Sequence, residues 1–358
     1  MAITLLSDLL PYANQFREGY IDSMVEASRL FNEGSNGAIR FTDSDAKGTL
    51  TKTAYFKDFG TVSRRDITST SDQTPEKIER AEHTMFRTYF KLNAIEWQDE
   101  AFWTSDRMQQ DAIMYMIGGQ LAKKKMQESI KQAINIASTA IVSGDGATHK
   151  TVLDLTSPKQ NFLQPQVNLA RMKFGAEYGR LKIMVMHSSV FFALVQNQTL
   201  NYMYDLGGGV TLYGGIPATM GMPFIVSDQP SLIYTSGDDV FYKTLLLTDS
   251  AITLADAGPI RANLQTVGGK ENISHLYQAE WSMWNNVKGY QLKAAANPDS
   301  NPSDSTLTTS SNWEQWVADT KNTAGVLVKS IADPASIQQV INVRYVSDDA
   351  GSGSGSGS

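Results

Sequence analysis

The chain has no cysteine and only four histidines among its 358 residues. Without thiols there is no disulfide framework, no thiolate metal site and no Cys nucleophile. His83, His149, His187 and His275 stand far apart, and no H-E-x-x-H places two of them on one helical face. Long hydrophobic runs are missing too: no stretch reaches the roughly 18 apolar residues that a membrane-crossing helix needs. Met1 to Leu6 lacks a basic lead-in, and Asp8 and Pro11 interrupt the apolar residues that follow, so no secretory signal is expected. Positive charge is in deficit, with 31 Lys and Arg against 37 Asp and Glu, a net charge of −6. That balance argues against a dedicated nucleic-acid binder, although one face could still touch DNA weakly.

Catalytic patterns are equally scarce. There is no G-x-x-x-x-G-K-[ST] loop to cradle phosphates. Gly207 to Gly215 lacks G-x-G-x-x-G spacing and reads as a surface loop. Asp99-Glu100 and Asp238-Asp239 read as solvated turns rather than metal ligands. His187 follows an apolar run and reads as a polar residue at a strand end. Lys123-Lys124-Lys125 is the densest basic cluster; it is either a solvated helix face or a face turned to a polyanion. No catalytic, cofactor-binding or metal residue is expected, hence no cofactor and no enzyme.

What is present is one very long element. From Asp106 to Ser143, apolar residues recur at helical spacing: Ile113, Ile117, Leu121, Met126, Ile130, Ile134, Ala137 and Ile141. Thr104, Ser105 and Asp106 offer N-cap oxygens, Gln109 completes a capping-box spacing, and Ser143-Gly144 supplies a stop. Such a helix would be about 57 Å long. Gly118-Gly119 suggests a bend or a close helix contact near its middle.

The rest divides around this spine. Asn14–Phe31 reads as a helix with Phe16, Tyr20, Met24, Ala27 and Phe31 on one face. Residues 38–75 are polar, with short β-like pieces and few large apolar residues for a private core. They read as a loop or extended hairpin that finds its partner on another molecule. Thr84–Leu92 alternates Phe86, Thr88, Phe90 and Leu92 against Met85, Arg87, Tyr89 and Lys91, a half-buried strand. Val167–Tyr178 and Ser188–Gln196 read as helices; Leu181–Met186, Met222–Ser227, Phe241–Thr248 and Ala251–Leu254 read as strands. Ile260–Val267, Leu276–Asn285 and Gly289–Leu292 are further strand-like pieces. Ala294–Asn312 reads as a linker, followed by short helices at Trp313–Thr320 and Pro334–Val343, and Gly351–Ser358 as a flexible Gly-Ser linker outside the fold.

Several short motifs in this order resemble the major capsid protein of tailed bacteriophages, with its Hong Kong 97-like fold, shared with encapsulin shells. They are Trp97-Gln98-Asp99 before the spine, the Gly144-Asp145-Gly146 turn after it, and Met184-Val185-Met186-His187-Ser188. Gly221-Met222-Pro223-Phe224-Ile225-Val226-Ser227-Asp228 and Asn286-Val287-Lys288-Gly289 complete the set. The resemblance implies an α+β fold with an N-terminal arm (1–37), an extended loop (38–80) and a peripheral domain (81–165) holding the spine helix (106–143). An axial domain (166–258), return strands of the peripheral domain (259–293), a linker and C-terminal tail (294–350) and the Gly-Ser linker (351–358) would follow. It further implies self-assembly through pentamers and hexamers into an icosahedral head shell around a double-stranded DNA genome. Other implied partners are a portal, scaffolding or decoration proteins, and packaged DNA in non-specific proximity; no membrane is implied. The expected location is the virion capsid, assembled in the host cytoplasm. Some members of this family cross-link neighbours through Lys and Asn. Lys47, Lys52 and Lys57 lie in the loop, but nothing positions a partner Asn, so no cross-link is expected. Three alternatives remain: an encapsulin-type compartment, a soluble α/β enzyme, and a phage tail or adaptor protein.

Overall fold

The computed structural model describes residues 35–43, 50–56, 80–98, 110–143, 151–195, 222–296 and 301–332, apart from single positions, and a few residues within 20–25 and 64–68. The strands in chain order are β1 (Ile39–Asp43), β2 (Leu50–Phe56), β3 (Arg80–Gln98), β4 (Val152–Asp154), β5 (Leu181–Met186), β6 (Phe224–Val226) and β7 (Ile233–Ser236). They continue with β8 (Asp239–Thr248), β9 (Ile252–Asp256), β10 (Arg261–Val267), β11 (Ser274–Val287), β12 (Tyr290–Leu292), β13 (Trp313–Gln315) and β14 (Gly325–Ser330). The long helix is α1 (Gln110–Val142) and a shorter one is α2 (Gln164–Met172). The fold is α+β.

Helix α1 has 33 residues, about 50 Å at 1.5 Å per residue. Burial follows the expected face: Leu121, Met126, Ile134, Ala137 and Ile141 are buried, and Ile117 and Ile130 partly so. The Ile113 side chain and the N-cap candidates 104–106 lie outside the described residues. The helix runs unbroken through Gly118-Gly119, with Gly118 buried. Its last turn closes where the sequence stops it, with the Ser143 amide donating to the Thr139 and Ala140 carbonyls. Towards that end Ala133, Ile136 and Ala140 are buried as well, because sheets cover more than one face there.

Two sheets share this helix. The first has eight strands, with β1-β9-β11-β12-β13 as its main path and β3, β2 and β10 joined through β11 and β3. The second has six, in the order β4-β14-β8-β5-β6 with β7 on β8. One apolar cluster joins Ile134, Ala137 and Ile141 of α1 to Ile252, Leu254, Val287 and Tyr290 of the first sheet and to Ile183, Val185, Leu245, Leu247 and Leu327 of the second. The second sheet's other face packs Met184, Met186, Leu246, Val326 and Val328 against Phe162, Val167, Ala170, Phe174 and Val190. Buried on both faces, these strands need the near-continuous apolar runs that mark them in the sequence.

Four expectations change. Residues 38–43 belong to the core: Ala38 and Ile39 are fully buried, and β1 runs parallel to β9. The helix expected over 167–178 breaks at Met172; Gly175, at φ +56°, starts a 3-10 segment, Gly175–Arg180. The linker 294–312 is folded. Its short helix Asp304–Thr308 is capped by Ser303, and Leu307 is buried. Trp313–Thr320 is not a helix. The helical spacing of Trp313, Trp316 and Val317 is overridden because Trp313 pairs with Leu292 on β12 and its indole N–H donates to the Leu307 carbonyl at 3.0 Å. Strand β14 was not anticipated, yet it lies between β4 and β8 near the centre of the second sheet. Two strands of that sheet, β4 and β14, thus come from outside residues 166–258, while β9 within that range joins the first. Pro334–Val343 and residues 196–221 lie outside the described residues.

Candidate assembly surfaces

Strand β3 is the organising element of the surface. Its 19 residues extend about 63 Å at roughly 3.3 Å per residue. Arg80–Phe86 pair with β2, while Phe86–Gln98 pair with β11. Phe86 faces both Leu50 and Asn285 in register, so two ribbons leave it in opposite directions along one strand. Phe86 itself is buried and meets Trp313 edge-on at 5.8 Å between ring centroids. The expected alternation holds: Phe86 and Thr88 are buried, Phe90 and Leu92 half-buried, and Tyr89 and Lys91 exposed.

The ribbon towards Gln98 loses its cover as it leaves the body. Strand β10 flanks the first half of β11, and β3 flanks the other side. Under its base lie Leu121, Tyr277, Ala279, Trp281 and Met283, with Phe90 stacked on Trp281. Further out, Asn93 to Glu96 are all exposed, as are most residues of β10. Ile95 and Tyr89 are 39% and 45% exposed, on a stretch of β3 whose one strand partner among the described residues is β11. The outward face forms a groove of about 670 Å³ whose lining includes Arg87, Tyr89, Lys91, Arg261 and Glu280. Arg87 is fixed there by donating to the Ala257 carbonyl at 3.0 Å and the Ser282 hydroxyl at 2.6 Å.

Polar nodes fasten α1 to this ribbon. Gln132 and Asn285 both donate amide N–H to the Thr88 hydroxyl, at 3.0 and 2.9 Å. Lys125 is 1% exposed, and its ammonium donates to Asp256 Oδ2 at 2.7 Å and to the Tyr20 hydroxyl at 2.9 Å. Burial opposes the charge, but Asp256 and Tyr20 outweigh it and hold Lys125 above its ordinary pKa. The triple lysine is therefore not one face. Lys123 and Lys124 are exposed, and Lys125 turns inward to tie the N-terminal segment to α1 and β9. A basic run alone carried no sign of this inward turn.

The other candidate residues do not converge. His187 caps the helix at 188–195: its Nδ1 accepts from the Ser189 amide at 3.1 Å and its carbonyl from the Phe191 amide. Its Nε2 faces Asp228 at 3.5 Å. Bonding to Ser188 holds the Asp228 carboxyl below its usual range. His275 sits on the distal ribbon against Trp97 and Thr266. Asp239 pairs with Lys159 at 2.7 Å, and Asp238 is exposed in the two-residue turn before β8. His149, Asp99-Glu100, Lys47, Lys57 and Gly207–Gly215 lie outside the described residues, as do the side chains of His83 and Lys52. Among the described residues, no group of three or more His, Asp or Glu side chains is close enough to hold a metal. No described helix is long and apolar enough to cross a membrane.

The sequence matches the family described as major capsid protein 13-like over residues 8–327. The chain belongs to that family. Its fold is also that of a solved phage shell. The capsid asymmetric unit of cyanophage Pam1 superposes with a TM-score of 0.51 at 9% identity, covering 82% of this chain and 88% of that one. The capsid of Ralstonia phage GP4 matches at 0.47 and 8% identity, covering 84% and 88%. No protein of curated function matches the sequence. The major capsid protein family makes this chain a capsid shell subunit of tailed phages, with the Hong Kong 97-like fold. Self-association follows from that role, and so does a place in the virion capsid.

Proposed function

We propose that the protein assembles through pentamers and hexamers into the closed icosahedral head shell that encloses the double-stranded DNA genome of a tailed phage. In this reading residues 1–37 are the arm, and the extended loop expected over 38–80 begins only after β1, which belongs to the first sheet. The first sheet and α1 make the peripheral domain, and the second sheet the axial domain. The observation that carries the reading is β3: one strand feeds two ribbons that diverge from Phe86, and the distal one exposes Tyr89 and Ile95. Leaving apolar side chains in water is unfavourable by about 25 cal/mol per Å², so a ribbon this exposed gains from burial against another chain. The net charge of −6 suits a container that holds DNA without gripping it. No role in this reading asks for chemistry of the chain's own. A portal and scaffolding or decoration proteins would complete the particle, and assembly would take place in the host cytoplasm.

The test is hydroxyl-radical footprinting of unassembled and assembled protein. Tyr89, Ile95 and Trp97 should be oxidised in the free subunit and protected in the particle. Equal oxidation in both states would reject the ribbon as a contact surface. Nuclease-protected DNA in the particles distinguishes a head shell from an encapsulin-type compartment, which would hold protein cargo instead.

A further inference from the structure

We propose that Lys243, Lys329 and Tyr234 form an oxyanion site on the second sheet, and that a carboxylate of a neighbouring copy fills it in the shell. The second half of this statement rests on the shell reading; the first does not. Lys329 on β14 and Lys243 on β8 are directly opposed in antiparallel register. Like charges placed so are destabilising unless counter-charge offsets them.

Both ammonium groups reach the same ring. Lys243 Nζ lies 5.8 Å and Lys329 Nζ 5.9 Å from the Tyr234 centroid. A single aromatic ring offsets only part of one such charge. Asp154, registered beside Lys329 on β4, approaches Lys329 Nζ at 3.8 Å. Its other oxygen is already committed, accepting from the Thr156 amide at 3.0 Å and the Thr156 hydroxyl at 2.6 Å. The neighbouring Lys159–Asp239 pair closes on itself. Among the described residues Lys243 therefore has no carboxylate partner.

The protonation of the cluster agrees with this geometry. Burial, and then the Lys329 charge, hold the Lys243 ammonium below its ordinary pKa. Burial, and then the Asp154 carboxylate, push the Tyr234 hydroxyl up to about 12, so it stays protonated at neutral pH. Two cations and one hydroxyl, on three adjacent strands, are matched by an oxyanion such as phosphate or carboxylate. Lys329 is 22% and Asp154 52% exposed in their side chains, so the site is open to an incoming group. The chain carries more carboxylates than cations, 37 against 31, and a packed neighbour brings them at high local concentration.

The experiment is amine acylation followed by mass spectrometry on the unassembled protein, in inorganic phosphate and in chloride of equal ionic strength. Lys123 and Lys124, exposed on α1, are the internal controls. Phosphate should slow labelling of Lys243 and Lys329 about tenfold, the factor that one unit of amine pKa represents, and leave the controls unchanged. It should also raise the Tm, and the K243M/K329M double variant should lose that rise while remaining folded. Labelling of all four lysines that ignores phosphate, or a Tm rise that survives in the double variant, overturns the site. In assembled shells a carbodiimide should join Lys243 or Lys329 to an Asp or Glu of another copy. Phosphate protection without that link keeps the oxyanion site and rejects the neighbour as its source. Phosphate protection in a protein that forms no particles keeps the site and rejects the shell.

Discussion

Removing the carboxylate of Asp256 should damage the protein more than removing the lysine it serves. Lys125 is 1% exposed and reaches Asp256 Oδ2 at 2.7 Å. Truncating one partner of a buried pair strands the other charge, at a cost of about 3–5 kcal/mol. Asp256 is itself 33% exposed, so solvent screens part of the pair and Asp256→Ala belongs near the low end, about 3 kcal/mol. Lys125→Met removes the charge and keeps the volume; it gives up the contacts to Tyr20 and Asp256 but strands nothing buried, at about 1 kcal/mol. The double variant should then be more stable than Asp256→Ala alone, since no charge remains to strand. Urea unfolding of the three proteins at neutral pH measures this order. The wild-type contribution is complete below the ordinary lysine value of 10.5, because folding raises the proton affinity of Lys125. It fades as pH climbs through the higher folded value. If Lys125→Met costs more than Asp256→Ala, or the two losses simply add, Lys125 is not held as a buried charge.

Other positions carry equally definite expectations. Gly325 starts β14 at φ +152°, and a Cβ there would meet the Leu246 carbonyl oxygen at 1.9 Å; Gly325→Ala should cost about 3 kcal/mol in thermal unfolding, and a neutral result would displace β14 from the second sheet. Trp313→Ala removes a buried indole that packs on Phe86 and donates to Leu307. It should cost about 3–5 kcal/mol by denaturant titration, whereas a cost under about 1 kcal/mol would return residues 294–312 to the status of a linker. Asp228, bonded by Ser188 and held below 3.8, lends stability above that value that is lost as pH falls through its folded pKa. Asp228→Asn should therefore flatten the acid-side slope of Tm against pH, and an unchanged slope would free Asp228 from the helix cap.

The parts of the fold that could be read from sequence are those where one periodicity dominates. Helix α1 announces itself because its face must stay apolar over nine turns, and Leu121, Ile134, Ala137 and Ile141 are buried as their spacing requires. Strands β5 and β8 show as apolar runs because both of their faces are covered. The tail was misread for a physical reason. Trp313, Trp316 and Val317 are spaced as in a helix, and only the distant pairing of Trp313 with Leu292 makes them extended. Strand β14 has just three apolar side chains before Lys329, too short a signal to separate from a loop. Residues 38–43 look polar because they contribute only Ala38, Ile39 and Phe41 to a core that other strands supply. The exposed ribbon was not legible: the stretch that reads as lacking a private core is 38–75, whereas the exposed residues lie at 89–98 of β3 and on β10. The lysine pair over Tyr234 was not legible at all, because Lys243 and Lys329 stand far apart in the chain and meet only through sheet register.

The measurement that bears most directly on the shell subunit is negative-stain electron microscopy of the purified protein, with sizing at low and high salt. Closed icosahedral particles of tens of nanometres, or pentamers and hexamers that close into them, are the expected result. Tubes or rings would point to a tail or adaptor protein. A monodisperse monomer at high concentration under every condition would contradict the account, and would reopen the soluble α/β enzyme as the better explanation of the second sheet.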